Sequence, residues 1–448
     1  MTTGRPWEKI LIFTLPMLLG NIAQQLYATV DSIVVGRYVG DNALAAVGSA
    51  SPIFNLLLVL FMGISMGAGV LVAQNFGARD RVNLSKTIGN CITITAIASG
   101  IIMVVGAIGT RPLLELLDTP VSIIDWCADY LLILSLGCAG TAYYNILCGV
   151  LRGLGDSVSA LIYLLVATVA NIVLDLLFVA VFQMGVAGVA LATILAQILS
   201  SILCMRKLLK MRHLFDLDKS QLALSKKHTM RIIQLGLPSG LTQAVFSMAS
   251  ILVQSLTNSF GEMVIAANVI IMRVDGFAMM PNFSFGNAMT TFSGQNVGAG
   301  RMDRVEQGSR QGLLMAVLTS ATITAALLFV GPTIMGIFTE TAALVDLSTR
   351  MMRILAAGYI AMAVTQSLSG VMRGAGDTMT PMWISMCTTV AIRVPLAYAI
   401  AHFTTTAAAP NGNYRCIWIS LLTSWCMGAL LTTVAYLRGK WKNKSGRR

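Results

Sequence analysis

The chain has 448 residues, of which 56% are hydrophobic and only 11% carry a charge. A soluble globular protein carries about 25% charged residues, so a chain this apolar cannot cover its surface with polar groups in water. The net charge of +12 would suggest nucleic acid in a soluble protein, but the basic residues here form short clusters between long uncharged runs. The composition therefore predicts an integral membrane protein that binds no nucleic acid.

Apolar runs separated by polar breaks predict membrane-spanning helices, because a helix of about 20 residues crosses a hydrocarbon core of about 30 Å. We number the predicted helices spans 1 to 12. They cover residues 10–36, 46–74, 88–108, 128–150, 159–183, 186–205, 232–259, 264–292, 312–337, 351–372, 380–403 and 416–438. Gly and Ser occur inside these runs, as they do in membrane helices. The predicted fold class is therefore an all-α integral membrane protein with twelve transmembrane helices.

Span 1 combines an apolar sequence with a stripe of polar residues. The residues at helical spacing along this stripe are Asn21, Gln24, Tyr27 or Ala28, and Asp31. Pro16 lies earlier in the same span, where a proline removes one backbone hydrogen bond and permits a kink. Because the run contains these polar residues and no small-residue cleavage site, it is interpreted as a first span and not as a signal peptide.

Only three of the 19 acidic residues lie more than three positions inside a predicted span, namely Asp31, Asp175 and Asp275; Asp129 is at the edge of span 4. A charge near the middle of a membrane costs on the order of 2.5–3.5 kcal/mol, so these residues are functional candidates. The alternative is a structural ion pair or a neutral, hydrogen-bonded acid. In span 5, Asn171 lies one helical turn before Asp175 on the same face. Asp31, Asn171 and Asp175 therefore predict a cation site, in which oxygen atoms bind Na⁺ or the carboxyl groups bind H⁺.

A basic hydrophilic stretch, residues 206–231, lies midway along the chain and is predicted to be a cytoplasmic linker. It separates an N-lobe of spans 1–6 (residues 1–205) from a C-lobe of spans 7–12 (residues 232–438), which a basic cytoplasmic tail (residues 439–448) follows. With both termini in the cytoplasm, most of the 31 Lys and Arg residues fall in cytoplasmic segments, as the positive-inside rule requires. The linker and the tail are expected to face anionic membrane lipid.

The two lobes are repeats of one another at a shift of 221 residues. QNFGA at 74–78 matches QNVGA at 295–299, and LRGLGDS at 151–157 matches MRGAGDT at 372–378. Near the start of each lobe, Leu15-Pro16 matches Leu237-Pro238. Because each copy has an even number of spans, both copies insert the same way up and form a parallel internal repeat. A monomer is expected, since the repeat already supplies two lobes.

Span 8 contains further charged candidates. Arg273 and Asp275 are two residues apart, so they do not share a helix face and need not pair with each other. A substrate cavity is predicted here, lined in part by Arg273, Asp275, Met279 and Met280, because methionine side chains repack around varied ligands. The alternative is that Arg273 and Asp275 form ion pairs with residues of other helices. Arg393 in span 11 is expected to form a structural pair or to extend its charge towards the membrane surface.

Sequence motifs of hydrolases and metalloenzymes are missing from the chain. It contains no GxxxxGK[ST] phosphate-binding loop and no HExxH motif, and it has only three histidines. The eight cysteines include no CxxC pair and are interpreted as small core residues. The sequence therefore predicts no enzyme, no cofactor, and no metal beyond a coupling Na⁺.

The span count, the repeat and the paired motifs resemble the multidrug and toxic compound extrusion (MATE) transporters over nearly the whole chain. The resemblance implies secondary antiport, in which a substrate leaves the cell as Na⁺ or H⁺ enters. The DinF-like branch of this family has an N-lobe cation site, whose aspartates and asparagine match Asp31, Asn171 and Asp175. Its tyrosine and its bending proline match Tyr27 and Pro16. Supporting polar residues in spans 4 and 6 resemble Asn145 and Thr193.

The chain departs from the NorM-like branch of the same family. That branch has a glutamate in span 7 and an aspartate in span 10, but span 7 here contains no acid and span 10 reads AMAVTQ at 361–366. Only Asp275 is similar to an acid of that branch, in span 8. The resemblance thus implies coupling in the N-lobe and leaves a second cation site in the C-lobe in doubt.

The predicted function is secondary active export, by alternating access, of organic and often cationic amphiphilic compounds, as in multidrug and xenobiotic efflux. The cell inner membrane is the expected location. A lipid-linked or polysaccharide flippase is the alternative, but it needs a more basic cavity than Arg273 and Arg393 provide. A membrane enzyme, a channel and a receptor are less favoured, since the chain lacks metal motifs and is duplicated.

Overall fold

The computed structural model describes residues 1–116, 119–406 and 410–446. Across these residues the chain consists of helices joined by short connections. Ten helices are each long and apolar enough to cross a membrane, and two bent helix pairs bring the number to 12 when each pair counts as one span. The described part of the chain confirms the predicted all-α membrane fold.

In the first half of the chain, the helices extend beyond the predicted apolar runs at most of their ends. Their bounds are Pro6–Tyr38 (span 1), Asp41–Gly77 (span 2), Arg81–Leu116 (span 3), Ile124–Leu136 with Cys138–Gly153 (span 4), Ser157–Asp175 with Leu176–Val181 (span 5) and Gly185–Lys210 (span 6). The two helices of span 4 meet at a bend of 50°. Span 5 changes after Asp175 from an α-helix to a π-helix.

The second half repeats these features. After a short helix, Lys219–Leu222, the bounds are Lys226–Asn258 (span 7), Glu262–Gly298 (span 8), Met302–Gly336 (span 9), Ala342–Ala356 with Gly358–Gly374 (span 10), Met379–Met386 with Cys387–Arg393 and Val394–Phe403 (span 11), and Cys416–Leu437 (span 12). Span 10 bends by 42° and span 11 contains a π-helix. The predicted repeat is therefore visible in the irregularities of the helices as well as in their number.

The chain forms two compact units, one of Leu15–Gly240 and one of Met1–Thr14 with Leu241–Arg448. Each boundary falls inside a helix, span 1 or span 7, close to the repeated prolines Pro16 and Pro238. Each unit has its own apolar core. The predicted lobe bounds at the linker stay a prediction.

Spans 2 and 4 approach each other so closely that one of the facing positions has no room for a side chain. A Cβ added at Gly149 would lie 2.6 Å from the backbone carbonyl oxygen of Ser65, well inside van der Waals contact. The Ser65 hydroxyl also donates to the Asn145 carbonyl at 2.6 Å, which ties the two helices together. In the second unit, a Cβ at Gly370 would overlap the Gly286 carbonyl oxygen. Small residues allow this close backbone contact, on which helix association in membranes depends.

We expect Gly149→Val to destabilise the protein, because the new side chain must displace the backbone of span 2. Overpacking of this kind costs about 1–3 kcal/mol or more. The measurement is the thermal unfolding midpoint of the detergent-solubilised protein. Gly100→Val is the matched control, because nothing lies within 4 Å of a Cβ at that exposed position of span 3. Equal midpoints for the two variants would contradict the prediction.

The segment between spans 6 and 7 is bound to span 3 by hydrogen bonds. The Arg81 guanidinium lies 2.8 Å from the Asp216 carboxylate, and the Thr93 hydroxyl donates to the Leu222 carbonyl at 2.7 Å. Oδ1 of the buried Asn90 accepts from the Ser225 amide at 2.8 Å and from the Thr229 hydroxyl at 3.0 Å. Much of the predicted linker is helical, since span 6 extends to Lys210 and span 7 begins at Lys226.

In Asn90→Ala, the segment between spans 6 and 7 should separate from span 3 more often, because the Ser225 amide and the Thr229 hydroxyl lose their common acceptor. We expect faster tryptic cleavage after Lys226 and Lys227, measured by mass spectrometry over a time course. Ser201→Ala serves as the control, since that hydroxyl bonds only within its own helix, to the Ile198 carbonyl. Unchanged cleavage of Asn90→Ala would show that Asn90 does not hold the segment.

Candidate functional site

Two acidic side chains from different spans meet inside the first compact unit. Asp31 comes from span 1, and the fully buried Asp175 comes from the end of the α-helical part of span 5. Their carboxyl groups lie within hydrogen-bonding reach of each other. An ionised carboxylate can only accept hydrogen bonds, so two carboxyl groups can share this contact only when one of them carries a proton or a cation lies beside them.

Apart from this contact, the protein provides few hydrogen-bond partners for the acidic pair. Among the described residues, no hydrogen-bond partner serves either oxygen of Asp175, Oδ1 of Asp31, or the amide of the fully buried Asn171. Buried polar atoms are nearly always paired, so a group of unpaired acceptors calls for an explanation. Carboxylate and amide oxygens are ligands of hard cations, and the carboxyl groups also bind protons. The side chains at this place therefore fit Na⁺ or H⁺.

The local backbone sets the position of Asp175. This residue is the last of the α-helix Ser157–Asp175, and the π-helix Leu176–Val181 follows directly. Single π-helical turns inside α-helices occur frequently at functional sites. Asn171 lies one turn earlier on the same face, as its spacing predicts. The sequence thus brings an amide and a carboxyl group to the point where the helix widens.

Two tyrosines lie near the acidic pair. The Tyr27 hydroxyl and Thr193 Oγ1 are 3.3 Å apart, which joins span 1 to span 6. Tyr27 and the buried Tyr130 both interact electrostatically with Asp31 and Asp175. Sequence reasoning missed Tyr130, because one tyrosine in the apolar run of span 4 has no motif or polar neighbour that distinguishes it from a core residue. Its hydroxyl lies within hydrogen-bonding reach of Ser51 of span 2, a residue that was also missed.

Two other predicted residues of this site have different surroundings. The Asn145 side chain donates to the Thr141 carbonyl of its own helix at 2.8 Å, and its backbone carbonyl accepts from Ser65. Its part in cation binding stays a prediction. Pro16 lies inside the continuous helix of span 1, fifteen positions before Asp31.

The predicted cavity residues of span 8 are distributed over both faces of the helix. Met279 and Met280 are buried, and Met279 belongs to the apolar core of the second unit. Arg273 is exposed. Asp275 lies within hydrogen-bonding reach of the Tyr359 hydroxyl of span 10, a partner that the sequence did not reveal.

Two six-span repeats that bury ionisable side chains within their membrane helices are the architecture of a multi-pass membrane transporter. The MatE family model matches residues 16–177 and 238–399, once in each half of the chain. The chain belongs to this family, the MATE transporters.

The chain is similar over nearly its whole length to proteins named as multidrug resistance proteins. It is 28% identical to the probable multidrug resistance protein YoeA of Bacillus subtilis, over 98% of this chain and 95% of that protein. It is 24% identical to the probable multidrug resistance protein NorM of Thermotoga maritima, over 98% and 94% of the two chains. A solved outward-facing MATE family transporter of the MOP superfamily has the same fold, with a TM-score of 0.90 at 23% identity, covering 98% of this chain and 97% of that one. These relatives are transporters and not enzymes.

A cation that binds the folded protein at Asp31 and Asp175 should raise its thermal midpoint. A ligand at a hundred times its dissociation constant stabilises by about 2.7 kcal/mol. We therefore expect the midpoint to rise with Na⁺ or with H⁺, and the rise to disappear in Asp175→Asn. The measurement is thermal unfolding in detergent, with choline replacing Na⁺ at constant ionic strength. Asp129→Asn, at an exposed acid of the same unit, should respond as the wild type does. An unchanged response in Asp175→Asn would place the ion elsewhere.

Proposed function

We propose that this protein is a secondary active antiporter that exports organic, often cationic, amphiphilic compounds in exchange for Na⁺ or H⁺ by alternating access. The observation that carries the proposal is the contact between Asp31 and Asp175, two carboxyl groups from different spans with no other partner among the described residues. The proposed location is the cell inner membrane, with both termini in the cytoplasm and a monomeric protein.

The membrane potential supplies enough energy for such an exchange. Exchange of a neutral compound for one entering cation moves one elementary charge, which yields about 2.3 kcal/mol per 100 mV and corresponds to roughly 50-fold accumulation. Exchange of a singly charged cation for one entering ion moves no net charge, so its export needs a second coupling ion or the concentration gradient of the ion. This agrees with a sequence in which no nucleotide-binding loop occurs.

The acidic pair offers a physical route from ion binding to conformation. When both carboxyl groups are ionised, their like charges repel and favour separation of span 1 from span 5. A proton or Na⁺ removes this repulsion and lets the two spans approach. Because the ion binds one arrangement more tightly than the other, it shifts the population between them by that difference in affinity. The Tyr27–Thr193 contact, at 3.3 Å, would follow the same movement of span 1.

The DinF-like branch of the family is the proposed place of this chain. Support comes from the acids that are present in the first unit, Asp31 and Asp175, and from the absence of any Asp or Glu in the apolar runs of spans 7 and 10. Coupling is accordingly proposed for the first unit. The alternative of a lipid-linked flippase has less support, because Arg273 and Arg393 are the only basic residues more than three positions inside a predicted span. The names of the relatives support export of drugs.

Uptake of a fluorescent organic cation into proteoliposomes, under separate Na⁺ and pH gradients, tests the proposal. We expect wild-type transport to follow one of the two gradients. Asp31→Asn and Asp175→Asn should each reduce gradient-driven transport at least about tenfold, because the amide can neither bind the proton nor supply a charge. Asp129→Asn should transport like the wild type. Coupled transport that survives in the Asp31→Asn, Asp175→Asn double variant would reject the acidic pair as the coupling site.

A further inference from the structure

The second compact unit contains a buried arginine, Arg393, at the end of the π-helix Cys387–Arg393 of span 11. Its side chain is only 8% exposed. Nη1 donates to the Ser250 hydroxyl at 3.4 Å, and the guanidinium carbon lies 5.4 Å from the centre of the Phe246 ring. Both partners come from span 7. Neither supplies a negative charge, so a hydroxyl and an aromatic face are what hold this cation.

The acid that acts on Arg393 is Asp275 of span 8, and the two charges interact electrostatically. Oδ1 of Asp275 and Nε of Arg393 are nevertheless both buried without a hydrogen-bond partner among the described residues. The Tyr359 hydroxyl, within reach of Asp275, also lies 3.3 Å from Sδ of Met352. An ion pair that served only the fold would be expected to join these atoms, because a buried charge with an unused hydrogen bond is costly.

The repeat shows that this place differs in kind from the acidic pair of the first unit. The family model matches residues 16–177 and 238–399, and the repeated motifs lie 221 or 222 residues apart. These shifts set Asp31 opposite Leu252 or Val253, and Asp175 opposite Leu396 or Ala397. The second copy thus has apolar residues where the first has its two acids, and it carries a fixed cation, Arg393, at or next to the position that matches Asn171. A mobile cation has no reason to bind beside Arg393, whereas an anionic group does.

We propose that Arg393 and Asp275 form a binding subsite for a zwitterionic substrate. Arg393, with the Ser250 hydroxyl, binds the carboxylate of the substrate, and Asp275, with the Tyr359 hydroxyl, binds its ammonium or other cationic group. The substrate then supplies the hydrogen-bond partners that Nε–H of Arg393 and Oδ1 of Asp275 lack among the described residues. This inference rests on the proposed export function and extends its substrates from cations to zwitterions.

The test compares two dyes that differ at one group: a zwitterionic rhodamine with a free carboxylate, and the methyl ester of the same dye, which keeps only the cationic charge. Both are taken up into proteoliposomes under the gradient that drives wild-type transport. In Arg393→Gln, we expect KM for the zwitterion to rise about tenfold or more, since one charged hydrogen-bonding partner is lost. KM for the ester should stay within about twofold of the wild-type value. Arg393→Lys should restore part of the zwitterion affinity, and Asp275→Asn should weaken both dyes.

A second measurement does not depend on transport. Binding of the zwitterion should raise the thermal midpoint of the purified wild-type protein, and Arg393→Gln should remove that rise while the ester still produces its own. Ser250→Ala removes only the hydroxyl that accepts from Arg393, so we expect it to reduce the rise in thermal midpoint by a smaller amount. This variant keeps the proposal testable if Arg393→Gln fails to fold.

Equal effects of Arg393→Gln on both dyes would overturn the proposal and leave Arg393 a structural residue. A wild-type protein that binds the ester but not the zwitterion would overturn it as well. In both cases the export function stands, because the ester still reports gradient-driven transport. Loss of gradient dependence for the ester in the wild type would instead contradict the antiport proposal.

Discussion

The contact between the Asp31 and Asp175 carboxyl groups is the constraint on which the first unit depends. The partly buried Asp31 and the fully buried Asp175 lie within hydrogen-bonding reach of each other, so their like charges repel when both are ionised unless a positive charge lies beside them. The surrounding side chains, Asn171, Tyr27 and Thr193, are polar but uncharged, so none of them supplies that positive charge. In the proposed function a small cation supplies this positive charge, and its binding links the conformation of the protein to the ion gradient.

The second unit solves the same electrostatic problem in another way. Asp275 interacts electrostatically with the side chain of Arg393, a cation that belongs to the protein itself. The Phe246 ring and the Ser250 hydroxyl of span 7 hold this side chain in place. In the function that we propose, the first half binds a mobile charge for coupling, and the second half, in which both signs of charge are fixed, recognises the substrate.

The sequence was sufficient to predict the spans, the repeat and the buried acids, because hydropathy and the cost of burying charge are properties of the chain itself. It could not predict that Tyr130 approaches the acidic pair, since that depends on how span 4 bends and packs. It also could not predict the neighbours of Arg393, because Phe246 and Ser250 lie in a helix far away along the chain. Most helices are longer than the predicted spans, since hydropathy detects the apolar part of a helix and not its polar continuation.

The π-helices of spans 5 and 11 also bear on how the two halves diverged. Thr168–Ala170 matches Thr389–Ala391 just before or within these π-helices. The π-helix of the second copy has 7 residues and that of the first copy has 6. One residue corresponds to about 100° of rotation in an α-helix. A single inserted codon can thus turn a helix face towards new neighbours without breaking the helix, which is a short evolutionary route from one binding specificity to another.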